Sequence, residues 1–342
     1  MLQLENRSPF EPLITVLPDA TGVDTLHVVV RATFTLRPEP SVATEQLAPV
    51  AADVYSGDPA ASSPISVSEL HTGKPGTDVV LLGTALPPGG APVTSMDVAL
   101  SITDRRKVVR VFGDRTWKAG MIGTSISPPA PFTAMPLVYE RAFGGVHTGA
   151  DGTVEVETRN PVGRGFLGAP TGKEIAGEPL PNFEDPAALI AKPKDRPVPA
   201  GFGFIAPTWE PRRGFAGTYD EAWEKSRAPF LPDDFDPRFL NSAHPDLAFD
   251  RFLEGGEAVR AEGVTGGRPL EFSLPVCVFD IEVAIADRTA RPPANLETVL
   301  IEPDANRLSL TFRATESCEK QSRRIREVTI ELRELLERGG AA

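Results

Sequence analysis

One third of this chain, residues 139–252, holds 15 of its 24 aromatic residues yet shows no sustained helical or strand period. Short aromatic motifs follow one another instead, joined by Pro and Gly. They are YERAFGG (139–145), RNPVGRGF (159–166), LPNFEDP (180–186), PAGFGF (199–204) and AGTYDEAWEKSRAPFLPDDFDPRF (216–239). A solvated linker is poor in aromatics and rich in charge, so this stretch is not one. It reads as a long irregular segment pinned to a scaffold by aromatic anchors, each able to bury about 150–250 Å². Long ordered segments of this kind usually carry function.

The flanks predict the scaffold. Across 24–37, Leu26, Val28, Val30, Ala32, Phe34 and Leu36 alternate with His27, Arg31, Thr33 and Thr35, the pattern of a strand with one wet face. Further strands are expected over 78–86, 96–103, 107–112, 270–287, 296–302 and 308–314, with Pro275 marking an edge or a bulge. Pro87-Pro88-Gly89-Gly90 and Pro303-Asp304-Ala305-Asn306 read as turns. The tail from Ile325 reads as a strand running into a short terminal helix.

Within the middle, Thr218 and Glu221 form a capping-box pattern. They open a helix with Tyr219, Ala222, Trp223 and Ser226 on one face, stopped by Pro229. Asp185-Pro186 predicts a second short helix. The expected architecture is mainly β, a β-sandwich or barrel-like body with a long irregular central segment carrying short helices. Its parts are an N-terminal β-rich region (1–130), the central segment (131–255), and a C-terminal β-rich region (256–342) packing with the first.

A net charge of −12 without any lysine or arginine run argues against a nucleic-acid partner. The one basic cluster, 320–326, sits beside Glu316, Glu319 and Glu327 and reads as a solvated face. No stretch approaches the roughly 20 apolar residues of a membrane span, and MLQLENRSPFEP lacks the pattern of a signal peptide. The expectation is a cytoplasmic protein that binds no membrane. Cys277, in an apolar run, reads as a buried inert thiol.

Catalytic equipment is hard to find. The four histidines accompany no G-x-S-x-G elbow, no C-x-x-C pair and no H-E-x-x-H, so no catalytic residue, metal or cofactor is assigned. Asp233, Asp234 and Asp236 suggest a Ca²⁺ loop, but counting from Asp234 the positions that need Gly and Glu hold Phe239 and Pro245. These carboxylates are expected to cap turns and pair with Arg227 or Arg238. HTGKPGTD (71–78) breaks the phosphate-loop pattern at Ser68 and Pro75. A carboxylate pair hidden among the acids leaves open a hydrolase acting on a cell-wall or sugar substrate.

Taken in order, these blocks, together with NRSPF, VVVRATFTL, YSGDP, TGKPGTDVVL, VVRVFGDRTW, WEPR and LIEPDANRLSLTFRA, resemble one bacterial family of unknown-function domains encoded beside type VI secretion genes. The resemblance runs from about Asn6 to Ala314. It implies a non-enzymatic adaptor or chaperone that binds a secreted effector, or its PAAR-bearing N-terminal region, and assists loading onto the VgrG spike. A structural component of the secretion machine is the other non-enzymatic possibility. For partner binding the candidates are Trp209, Tyr219, Trp223, Arg227, Phe235 and Arg238, since aromatic and Arg anchors on a rigid frame dominate such contacts.

Overall fold

The computed structural model describes residues 3–120, 123–168, 175–319 and 321–336. Three open sheets form its frame. The largest has the order Glu11–Pro18, Asp24–Thr35, Arg307–Glu319, Asn295–Glu302, Asp78–Leu81, with Ser41–Val42 paired beside Asp24–Thr35. Only its last pair, Asn295–Glu302 with Asp78–Leu81, is parallel. An antiparallel five-stranded sheet runs Phe183–Glu184, Arg105–Phe112, Ser95–Ile102, Ala258–Glu262, Leu270–Ser273. A four-stranded sheet runs Gln3–Asn6, Ile325–Leu336, Val276–Ile285, Arg288–Ala290. Each sheet joins strands from the first 130 residues to strands beyond residue 256. The protein is mainly β, and among the described residues no sheet closes into a barrel.

Side-chain alternation explains how the sheets meet. Val28, Val30, Ala32 and Phe34 lie opposite Ala314, Phe312, Leu310 and Leu308, forming one apolar face of the largest sheet. That face meets the four-stranded sheet through four rings. Phe279 lies 5.1 Å from Phe312, and Phe10 lies 5.6 Å from Phe34 and 6.1 Å from Phe279. Burying each such ring contributes about 1.5–3 kcal/mol, so these two sheets pack as a sandwich about an aromatic seam.

The opposite face of Asp24–Thr35 overturns the wet-face expectation. His27, Arg31 and Thr33 are buried, because residues 43–77 fold over them. Gln46 exchanges hydrogen bonds with the Thr33 backbone, donating Nε2 at 2.9 Å and accepting from its N–H at 2.9 Å. Beneath this cover, Asp78 accepts from Lys74 Nζ at 2.6 Å, Asn241 Nδ2 at 2.9 Å and Ser242 N at 2.7 Å. Arg313 Nε donates to Glu297 at 2.7 Å, and Glu297 also accepts from Lys74 N at 2.7 Å. Many polar groups on this side are satisfied by one another instead of by water, while both His27 ring nitrogens, Arg31 Nε, Ser309 Oγ and Arg313 Nη1 are buried without a hydrogen-bond partner. Period-2 alternation therefore identified the strand correctly and misjudged its second face.

Other differences are local. The expected strand over 78–86 breaks into Asp78–Leu81 and Thr84–Ala85, and that over 270–287 breaks at Leu274-Pro275. The helix after Thr218 begins at Glu221, and Asp220 caps it by accepting from Trp223 N at 2.9 Å. Thr218 is instead bonded to Asp234. Asp185-Pro186 opens only a turn, in which Asp185 accepts from Ala187 N. The tail remains a strand through Leu336, and the helix expected at its end falls outside the described residues.

Candidate functional site

The aromatic motifs divide into those that build the core and one that does not. Asn160, from RNPVGRGF, is fully buried and donates Nδ2 to Tyr139 O at 2.8 Å and Phe143 O at 3.0 Å, which locks it to YERAFGG. Gly144 must lack a side chain here, because a Cβ would lie 2.1 Å from Asn160 O. In LPNFEDP, Asn182 donates to Phe112 O at 3.0 Å, while buried Glu184 pairs with Arg115 and accepts from Ile190 N at 2.7 Å. Phe202 and Phe204 of PAGFGF are buried, and Trp209 meets Tyr139 edge-on at 5.8 Å. Arg212 donates to Ile205 O at 2.6 Å and Phe239 O at 2.9 Å, fastening the next segment to this core.

Beyond Arg212 the chain leaves the core. Between residues 215 and 239, none of the six rings (Phe215, Tyr219, Trp223, Phe230, Phe235 and Phe239) is buried, and Tyr219 is 54% exposed. The excursion is nonetheless ordered by its own bonds. Trp223 Nε1 donates to Phe230 O at 2.9 Å, and Arg227 Nε donates to Leu231 O at 2.9 Å. Asp234 accepts from Thr218 N at 2.9 Å and Thr218 Oγ1 at 2.7 Å, and Asp236 N donates to Phe215 O at 3.0 Å. Tyr219 stacks edgewise on Trp223 at 4.7 Å, and Phe235 on Phe239 at 5.8 Å. Such a loop, packed by its own side chains, is a preformed surface.

A distant turn completes it. Arg227 donates to Ala20 O, and the Phe230 ring sits over Gly22, whose φ of +83° and missing Cβ admit the ring. Between the excursion, the turn at 18–22 and the loop at 70–73 lie two grooves of about 260 and 580 Å³, which share Asp19, Thr72, Leu231 and Phe235 as walls. Tyr219, Phe230, Phe239 and Leu240 line the smaller, and Arg227 and Asp233 line the larger.

The six residues singled out from sequence therefore fare differently. Tyr219, Arg227 and Phe235 line the grooves, while Trp223 supports Tyr219. Arg238 lies outside the lining, paired with Asp236 at 2.5 Å and stacked over Phe215 at 4.3 Å. Trp209 is buried in the core. Phe230, Phe239 and the Asp19 and Thr72 walls escaped sequence reasoning. The two rings lay inside the longest motif, whereas the walls come from positions more than 140 residues away.

Electrostatically the excursion is acidic. Asp220, Glu221, Glu224, Asp233, Asp234 and Asp236 oppose Lys225, Arg227 and Arg238 over 216–239, a balance of −3. Hydrogen bonds from Thr218 hold the Asp234 carboxyl below the ordinary carboxylate range, and those from Arg238 do the same for Asp236. Asp233 pairs with Arg227 at 3.1 Å, so all three carboxylates act as turn and ion-pair partners. Among the described residues no group of three or more His, Cys, Asp or Glu is arranged to hold a metal ion, and no helix is long and apolar enough to cross a membrane.

These features define an open-sheet, mainly-β protein presenting an ordered, acidic, aromatic surface. The chain belongs to the family described as uncharacterized protein conserved in bacteria (DUF2169), which matches it over residues 21–313. Comparison with curated proteins and with solved structures gave no match.

Proposed function

We propose that the protein is a cytoplasmic, non-enzymatic type VI secretion adaptor. It would bind an effector, or that effector's PAAR-bearing N-terminal region, and assist its loading onto the VgrG spike. The observation that carries the binding role is the excursion at 215–239, with six unburied rings on a loop fixed by its own hydrogen bonds. Tyr219 is exposed and the other five rings are half-buried, so the loop offers aromatic anchors beside the grooves that they and Arg227 border. The block-by-block resemblance of the sequence supports the secretion context.

A loading adaptor must select its cargo and then release it, which suits moderate affinity from a few aromatic and Arg anchors. The acidic rim favours a partner whose apolar segment is flanked by basic residues. Tagged protein, purified from its native host and analysed by mass spectrometry, should carry a toxin or spike-tip protein in near-stoichiometric amount. A protein that purifies alone and hydrolyses a cell-wall or sugar substrate would defeat the proposal. Replacing Asp233, Asp234 and Asp236 with Asn adds a second arm, since a hydrolase relying on them loses turnover while an adaptor loses at most local order.

A further inference from the structure

Beside the aromatic excursion lies an open sheet edge. Glu11–Pro18 borders the largest sheet, and among the described residues no strand pairs with its outer side. The opposite border, Asp78–Leu81, is covered: Leu81 N donates to Phe202 O at 3.1 Å, and Asp78 bridges to Ala248. The end strands of the other two frame sheets are two to four residues long. Native edges are blunted by shortness, charge, bulges or proline. Glu11–Pro18 has eight residues, pairs with Asp24–Thr35 without a bulge, and carries no charge from Leu13 to Leu17.

The register decides which backbone groups face outward. Asp19 N donates to Val23 O at 2.9 Å, which continues the ladder and places the bonds to Asp24–Thr35 on Glu11, Leu13, Thr15 and Leu17. The N–H and C=O groups of Ile14 and Val16 therefore point away from the sheet, and Val16 is 36% exposed. Pro12 and Pro18 share this outward register and have no N–H to offer. Two residues thus form a window for four main-chain hydrogen bonds, stopped by proline at each end.

We propose that this edge takes an extended segment of the polypeptide partner as an added strand. This rests on the adaptor role proposed above. The edge is continuous with the aromatic site, since Leu17 and Pro18 wall the groove of about 260 Å³ together with Tyr219 and Phe230. A segment paired to Ile14 and Val16 runs past Pro18 to that groove, so main-chain bonds set its register and the rings receive a side chain. Charge selects the segment. Glu11 stands at one end of the window, and at the other Asp19 and Asp233 outnumber Arg227. An apolar segment with a basic residue at each end matches them. A second copy of this chain does not. Antiparallel pairing about Thr15 sets Glu11 of each copy against Asp19 of the other, and like charges directly opposite are unfavourable.

The test uses the full-length protein and two fluorescein-labelled, C-terminally amidated probes, Lys-Val-Thr-Val-Thr-Val-Lys and Glu-Val-Thr-Val-Thr-Val-Glu, titrated by fluorescence anisotropy at low salt. The basic probe should bind at least about tenfold more tightly than the acidic one. Val16→Pro removes an outward N–H in the register that Pro12 and Pro18 already occupy, and should weaken the basic probe at least about tenfold. Val16→Thr should match wild type. In wild type, saturating basic probe should slow amide exchange of Ile14 and Val16 at least about tenfold. No binding of the basic probe, equal affinity for both probes, unslowed exchange at Ile14 and Val16, or unchanged affinity in a Val16→Pro variant folded by circular dichroism overturns the proposal. A wild-type dimer in sedimentation that Val16→Pro abolishes overturns it as well, by assigning the edge to a second copy. A protein that yields no partner on purification from its native host is not an adaptor, whatever the edge binds.

Discussion

The indole of Trp223 donates to the carbonyl oxygen of Phe230 at 2.9 Å, tying the six-residue helix to the turn that follows it. This one bond ties the outermost ring pair, Tyr219 and Trp223, to the ring that rests on Gly22. Trp223→Phe keeps a ring and removes the bond, a change worth about 1 kcal/mol of local order. Hydrogen exchange across 215–240 should quicken about fivefold while the rest of the protein is unaffected. Uniformly faster exchange would mean that the excursion is part of the global folding unit.

Asp78 is the anchor of the buried polar layer, gathering Lys74 from its own loop and the adjacent Asn241 and Ser242 from a distant one. Removing one member of a buried pair strands the other, so Asp78→Ala should cost about 3–5 kcal/mol in urea unfolding. A loss below about 1 kcal/mol would show that water reaches Lys74 freely.

Asn160 holds two of the core motifs together through carbonyls that have few other partners. Asn160→Ala should destabilise the protein by about 1–3 kcal/mol, because Tyr139 O and Phe143 O each lose a donor in a dry site. Binding of a partner at 215–240 should be unchanged in the folded fraction.

Burial drives the pH response. It lowers His27 to about 4, with Arg313 adding to the effect, and lowers His244 to about 4, where the nearby Lys107 ammonium reinforces it against Asp246. His71 is likewise pushed well below its ordinary value by burial and by Arg313. All three are neutral when folded and take up a proton near pH 6.5 when unfolded, so stability rises with pH through this window. Going from pH 7.5 to pH 5 should cost about 1–2 kcal/mol for each of His27 and His244, read as a falling denaturation midpoint. Constant stability over that range would mean that these imidazoles are hydrated.

Much of the frame was legible because strands announce themselves through alternation. The pair 296–302 and 308–314, with its Pro-Asp-Ala-Asn turn, emerged as Asn295–Glu302 and Arg307–Glu319, with Asn306 left-handed at the corner. Sheet order was not legible, since Asp24–Thr35 pairs with a strand more than 270 residues later and nothing local encodes that partner. The buried second face of Asp24–Thr35 escaped for the same reason, because its cover comes from residues 43–77. In the candidate site, composition located the aromatic excursion but could not tell Trp209, which turns inward, from Tyr219, which does not. Both are aromatic residues in Pro- and Gly-rich surroundings, and only tertiary packing separates them.

The central claim is that 215–239 grips a polypeptide. Its most direct test is the affinity of the co-purified partner for Tyr219→Ala/Trp223→Ala/Phe235→Ala compared with wild type, at matched circular dichroism. The account predicts a loss of at least about 100-fold, the scale of two or more aromatic anchors. Unchanged affinity in a folded triple variant would contradict it.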